Sequence, residues 1–144
     1  MKKKYTKVSF PKSINLGKRD WGIEKLLVLI PRKLTLKILY IKKGKKGGLQ
    51  YHRKKNECGY LLKGKLLIRF ENGKGKLIKK ILKPGMSFHF PPGAIHQEEA
   101  VSDCTIIEAS TPHFNDRVRV ETRYGIKNFN SGLPSTKKDQ IIIK

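Results

Sequence analysis

The sequence predicts an all-β protein, a single antiparallel barrel or sandwich of jelly-roll type. Short bursts of β-branched, aromatic and aliphatic residues recur along its 144 residues, bounded by Gly and Pro. No run of ten or more residues shows the apolar periodicity of a helix. Residues 65–70 and 77–82 flank Glu71-Asn72-Gly73-Lys74-Gly75, a hairpin pattern in which Asn-Gly supplies the positive dihedral angles of a tight turn. The length suffices for one domain with a sizeable core and falls short of two.

Residues 1–20 read as an irregular or extended arm broken by Pro11 and Gly17. Structure begins at Trp21-Gly-Ile-Glu24, with strands expected over 26–30 and 34–41 and a Lys-Gly connection over 42–48. A strand from Gln50 to Glu57 continues through 59–63 to a turn at Gly64. After the hairpin, Lys83-Pro84-Gly85 opens a strand over 86–90. Pro91-Pro92-Gly93 then re-aims the chain before His96. Residues 104–109 form another buried strand, 115–124 are charged and less regular, and 141–143 end the chain as an edge strand or tail.

The net charge of +22 is unevenly placed. Residues 1–83 hold 26 Lys and Arg against four acids, whereas residues 84–144 hold seven of each. Three readings compete: a field for a phosphorylated substrate, a surface for polyanions, and Lys-rich drift on solvated faces. Nucleic acid is disfavoured because no recognition helix or aromatic platform is evident and Lys outnumbers Arg by 26 to seven. No apolar run approaches the roughly 20 residues that span a bilayer, and Met1–Lys7 lacks the apolar stretch of a secretory signal. A cytoplasmic protein without a membrane partner is expected. Cys58 and Cys104 read as buried free thiols, with Cys58 pointing away from any site that Glu57 faces.

Gln50 and His52 sit at i and i+2, so a strand puts both on one face. Glu57 is five residues beyond His52, which requires a bulge or bend, expected at Lys54-Lys55-Asn56. His96 approaches from a separate strand. This set of imidazole nitrogens, a carboxylate and an amide oxygen suits a divalent ion, with Zn, Mn, Fe, Co and Ni all compatible.

The spacings carry a resemblance. Gly44, Gln50-Tyr51-His52, Glu57 and Gly64, followed by Gly85, Pro91, Gly93 and His96, resemble the two motifs of the cupin superfamily. Gln50 replaces the usual first His, and Ala100 replaces the final Asn. The likeness covers residues 20–125 and implies a cupin double-stranded β-helix, or jelly-roll barrel, with 1–20 as an N-terminal arm, 21–125 as the barrel and 126–144 as a tail or cap. Gln50, His52, Glu57 and His96 look like the zinc set of type I mannose-6-phosphate isomerases, which makes zinc the favoured metal. Leu49-Gln-Tyr-His52 is similar to small mannose-6-phosphate isomerase-like cupins.

The resemblance implies a metal-dependent aldose–ketose isomerase acting on mannose-6-phosphate or a related phosphorylated sugar, and a homodimer. In that reaction a proton moves between two carbons beside a metal-polarised carbonyl. Lys54, sharing parity with His52, is the expected inward cation, and His89, with Ser87 on its face, the expected proton carrier. A solvated Lys54 and a structural His89 remain open alternatives. So do two other functions: a non-catalytic metal- and carbohydrate- or metabolite-binding module, and a metal-dependent oxygenase-type cupin. Trp21 reads as a packing anchor and His113 as a surface or structural histidine.

Overall fold

The computed structural model of the protein describes residues 7–19, 21–114 and 116–127. One antiparallel sheet contains, in spatial order, β1 (Ile14–Arg19), β2 (Gly22–Ile30), β3 (Leu34–Ile41), β10 (Cys104–Ser110), β5 (Glu57–Lys63) and β8 (Ser87–Phe90). The second contains β11 (Arg117–Arg119), β4 (Gln50–His52), β9 (His96–Ala100), β6 (Leu66–Glu71) and β7 (Leu77–Leu82). A short 3₁₀ turn, Glu121–Tyr124, is the one helical element among the described residues. The fold is all-β, as expected.

The hairpin β6–β7 pairs Leu66 with Leu82 through Glu71 with Leu77. Its turn is tied by its own side chains: Gly73 N–H donates to Glu71 Oε2 and Lys74 N–H to Asn72 Oδ1, both at 2.8 Å. Gly73 has φ of 84°, a conformation glycine adopts at little cost.

Three elements differ from expectation. Residues 14–19, placed in the arm, pair antiparallel with β2, Ile14 opposite Leu26. The strand expected from Gln50 through Glu57 is two strands in different sheets. The chain crosses between the sheets over residues 53–56, so the expected bulge is a sheet-to-sheet crossing. Within the less regular stretch, β11 forms and pairs with β4. The run 141–143 and most of the expected tail lie outside the described residues.

Alternation along β3 and β10 turns every second side chain inward. At one end those positions carry Leu39, Ile41 and Ile106, which meet Leu61, Leu66, Ile68, Leu82 and Ala100 in the core. Leu61, Leu66 and Ile106 are fully buried, each contributing about 1.5–3 kcal/mol of apolar burial. At the other end the inward positions of the same strands are Thr35, Lys37, Glu108 and Ser110, all buried. Thr35 and Ser110 close this end with a hydroxyl–hydroxyl bond of 2.8 Å. The interior is therefore apolar in one half and polar in the other. Both cysteines are free, and Cys104 joins the core. Cys58 is exposed rather than buried, because alternation along β5 turns it outward when Glu57 faces in. No helix among the described residues is long and apolar enough to cross a membrane.

Leu61→Ala leaves a void where both sheets meet. It is expected to cost about 2–5 kcal/mol, measured by urea unfolding.

Candidate metal centre

The polar half of the interior encloses a cavity of about 100 Å³ lined by Gln50, His52, Glu57 and His96 among others. Gln50 and His52 come from β4 and His96 from β9, with Gln50 directly opposite His96 in the register. Glu57 enters from the facing sheet as the first residue of β5. All four are buried. The expected set is thus brought together around one cavity.

His52 Nε2 lies 3.3 Å and His96 Nε2 3.2 Å from the same atom, Glu57 Oε1. The ligand atoms of these three residues lie within 4.8 Å of one another, close enough to hold a metal ion. Their other ring nitrogens identify the tautomers. His96 Nδ1 is 2.9 Å from the carbonyl of Ala94, which can only accept. His52 Nδ1 is 3.1 Å from Asp116 Oδ1. Burial works against the charge of Asp116, but the backbone N–H groups of Lys54 and Lys55, at 2.7 and 2.8 Å, outweigh it and hold the carboxyl below its ordinary value. Asp116 is therefore an ionised acceptor too. Both rings donate from Nδ1, so each turns an Nε2 lone pair toward a carboxylate oxygen. Three lone pairs on one spot repel unless a cation or added proton lies between them. Gln50 Oε1 is buried beside them with no hydrogen-bond partner. An uncompensated buried acceptor is costly, and a cation satisfies it together with the other three. The residues present fit a divalent ion.

Phe90 stacks on the His96 ring at 3.9 Å between centroids and 12° between planes, fixing its orientation. Gly93 N–H donates to the His52 carbonyl at 2.8 Å, tying the turn before His96 to the strand that carries His52.

Neither Lys54 nor His89 reaches this cavity. Lys54 is exposed, because the strand whose parity would have turned it inward stops at His52. Lys55 lies inward instead, its Nζ 2.8 Å from Glu57 Oε2 and 3.4 Å from Glu108 Oε1. Burial alone would lower the Lys55 pKa, but Glu108 and Glu57 outweigh it and raise it. His89 is exposed on β8, with Nε2 2.7 Å from Asn56 Oδ1. It borders a separate space of about 340 Å³ beside β7 and β8. His113 bonds Thr111 Oγ1 through Nδ1 at 2.8 Å, a structural contact.

Sequence reasoning missed Asp116, Lys55, Glu98 and Glu108. Glu98 carried a usable signal: it follows His96 by two residues on a strand and so shares its face. Burial, then the charges of Glu108 and Glu57, push the Glu98 carboxyl well above its ordinary value. Burial and the Glu57 charge lift Glu108 to about 7, with Lys55 and Lys37 pulling the other way. Burial opposes the charge of Glu57, yet Lys55 holds its carboxyl well below the usual range.

The cupin-domain family matches residues 37–110, just over half of the chain. The chain is a cupin. Among solved structures this cupin is similar to the capsular polysaccharide assembling protein CapF from Staphylococcus aureus. The TM-score is 0.67 and the identity 21%, over 78% of this chain and 32% of that one. KdgF from Halomonas sp. gives a TM-score of 0.57 and 23% identity, over 65% of this chain and 82% of that one. Oxalate oxidase in complex with glycolate gives 0.53 and 20%, over 61% and 46%. At these identities the likeness is one of fold, and the cupin spans about a third of the length of the CapF chain. Comparison with curated proteins finds no match.

Asp116→Ala removes the acceptor that orients His52, and is expected to weaken metal binding by about 10–100-fold in a chelator competition, the fold retained by circular dichroism. A carboxyl whose pKa is raised by folding stabilises the fold below its unfolded value and loses that contribution as pH rises through the folded value. The metal-free protein should therefore lose a stabilising contribution between the ordinary value of 4.5 and about 7. Glu108→Gln should flatten that part of the stability–pH curve measured by thermal unfolding.

Proposed function

We propose that this cupin is a divalent-metal enzyme. Its ion is held by His52, Glu57 and His96, with Gln50 Oε1 as a fourth donor, and it acts on a small oxygen-rich metabolite. The observation that carries the reading is the convergence of two Nε2 atoms on Glu57 Oε1, with both Nδ1 atoms donating away. Bound there, the ion would polarise a carbonyl or hydroxyl oxygen of the ligand. This mixed nitrogen and oxygen set accepts Zn, Mn, Fe, Co or Ni.

Proton-transfer chemistry on a sugar, with mannose-6-phosphate isomerisation as its specific form, is supported by Gln50 in the Gln-x-His pattern and by Glu98 on the inner face beside His96. In this reading Glu98 takes the place of His89 as the proton carrier, and Lys55 that of Lys54 as the inward cation. A phosphate would need a cation; both lysines lining the cavity already pair with carboxylates, and Arg117, the third cation of the lining, has a partner of its own. A second reading is metal-dependent oxygen chemistry. It is favoured by the two-His-one-carboxylate group, a ligand set that also suits non-haem iron and needs no contribution from Gln50.

Metal analysis of protein purified without a poly-His tag tests the centre. About one ion per chain is expected after exposure to the five metals, and His52→Ala and Glu57→Ala should abolish retention. A wild-type protein that retains none of the five sinks the reading. Loaded protein is then assayed on mannose-6-phosphate and related aldoses with and without oxygen. Isomer formation supports the first chemistry and oxygen consumption the second, while ligand binding without turnover marks a binding module.

A further inference from the structure

Four carboxylates line the metal cavity: Glu24, Glu57, Glu98 and Glu108. Three of them pair with lysine. Glu24 Oε1 is 2.8 Å from Lys37 Nζ, and Lys55 Nζ lies 2.8 Å from Glu57 Oε2 and 3.4 Å from Glu108 Oε1. Glu98 forms no side-chain hydrogen bond or ion pair among the described residues; its backbone carbonyl accepts from Gly47 N–H at 3.0 Å, and its main chain stands opposite Ile68 in β6. Trp21 also lines the cavity. Its side chain packs in the core at 5% exposure, and its indole Nε1–H, a donor with no acceptor role, has no partner. Buried indole N–H groups ordinarily find an acceptor. One lining residue thus offers an unused donor and another an unused carboxyl, in a cavity whose lysines are already bonded.

We propose that Trp21 and Glu98 are the recognition pair of this cavity, and that they select a small neutral polyhydroxylated ligand of the sugar class. Its oxygen accepts from Trp21 Nε1–H, and its hydroxyl bonds to the Glu98 carboxyl. This extends the metal reading above by naming the ligand class. A hydroxyl both donates and accepts, so one compound can meet the indole and the carboxyl together. A phosphate or dicarboxylate brings negative charge of its own, and it would meet the ionised Glu57 and the lysine-paired Glu24 in the same cavity. Lys37 and Lys55 would have to leave their partners to receive it, and Arg117, the third cation of the lining, has a partner of its own, which leaves only the ion for an anionic group.

The test uses full-length protein, metal-loaded and metal-free, titrated with neutral aldohexoses, their C6-phosphates, glycolate and oxalate by calorimetry. Trp21→Phe keeps an aromatic ring and deletes the N–H; Glu98→Gln keeps the shape and replaces the carboxyl by an amide. Neutral aldohexoses should bind, and each variant should weaken them by about tenfold, the loss of roughly one hydrogen bond, at unchanged metal content. Thermal unfolding of each variant shows that the fold persists, and Glu98→Gln tests the pair if Trp21→Phe unfolds the core. The pair is overturned if no aldohexose binds, if phosphates or dicarboxylates bind to the exclusion of neutral sugars, or if sugar affinity is indifferent to both substitutions. Loaded protein indifferent to both leaves the metal centre standing without this pair. Ion-free protein that binds sugar through Trp21 and Glu98 leaves the pair standing without the metal centre.

Discussion

Glu57 Oε1 is the point on which the polar half of the molecule depends. It belongs to one sheet, and the two Nε2 atoms 3.2 and 3.3 Å away belong to the other. At the apolar end the sheets are held by side chains that attract without direction. At the polar end they meet through lone pairs, which repel unless a positive centre sits among them. The two oxygens of Glu57 divide the work: Oε2 takes the Lys55 ammonium at 2.8 Å, which leaves Oε1 for the histidine side. A carboxylate held in this way would donate to an ion through one oxygen, leaving other positions on the ion for ligand.

Placing Glu57 opposite the histidines requires the chain to change sheets within residues 53–56, and Asp116 makes that crossing definite. One carboxylate accepts two successive backbone N–H groups of the crossing and the His52 ring N–H. The geometry of the crossing and the tautomer of a proposed ligand are thus set by the same side chain. The bond from Gly93 N–H to the His52 carbonyl adds the turn before His96 to this assembly. Short sequence motifs far apart in the chain become one rigid unit because their backbones, as well as their side chains, are bonded.

This explains what could be read from the residues beforehand and what could not. Hydrophobic alternation and turn chemistry are local, so β3, the β6–β7 hairpin and β10 fall close to where the pattern puts them. Gln50, His52, Glu57 and His96 converge from two sheets, and what pointed to their meeting was the resemblance of their spacing to the cupin motifs rather than any local rule. Parity failed at Lys54 because it presumes an unbroken strand, and the break at His52 is imposed by Asp116, 64 positions from His52 in sequence. His89 failed differently. Its strand exists, but register with β5 puts it opposite the outward Cys58, on the face away from the cavity. Glu98 shares the face of His96 on β9 by the same parity rule, but it belongs to neither sequence motif.

The charge of the chain illustrates the same separation between composition and site. The excess of +22 arises within residues 1–83, and much of it stands on solvent-facing positions such as Lys42, Lys43, Lys45, Lys46, Lys79 and Lys80. The cavity lining has a different balance, with Lys37, Lys55 and Arg117 against four carboxylates. Exposed lysines on a protein surface act through water and salt, and at physiological ionic strength their field decays over about 8 Å. The paired groups inside are screened far less, so a ligand that enters the cavity meets the local arrangement rather than the net charge. A strongly basic chain therefore gives no reason to expect an anionic ligand at this centre. Among the lining atoms that carry no hydrogen bond are the Trp21 indole N–H and Gln50 Oε1.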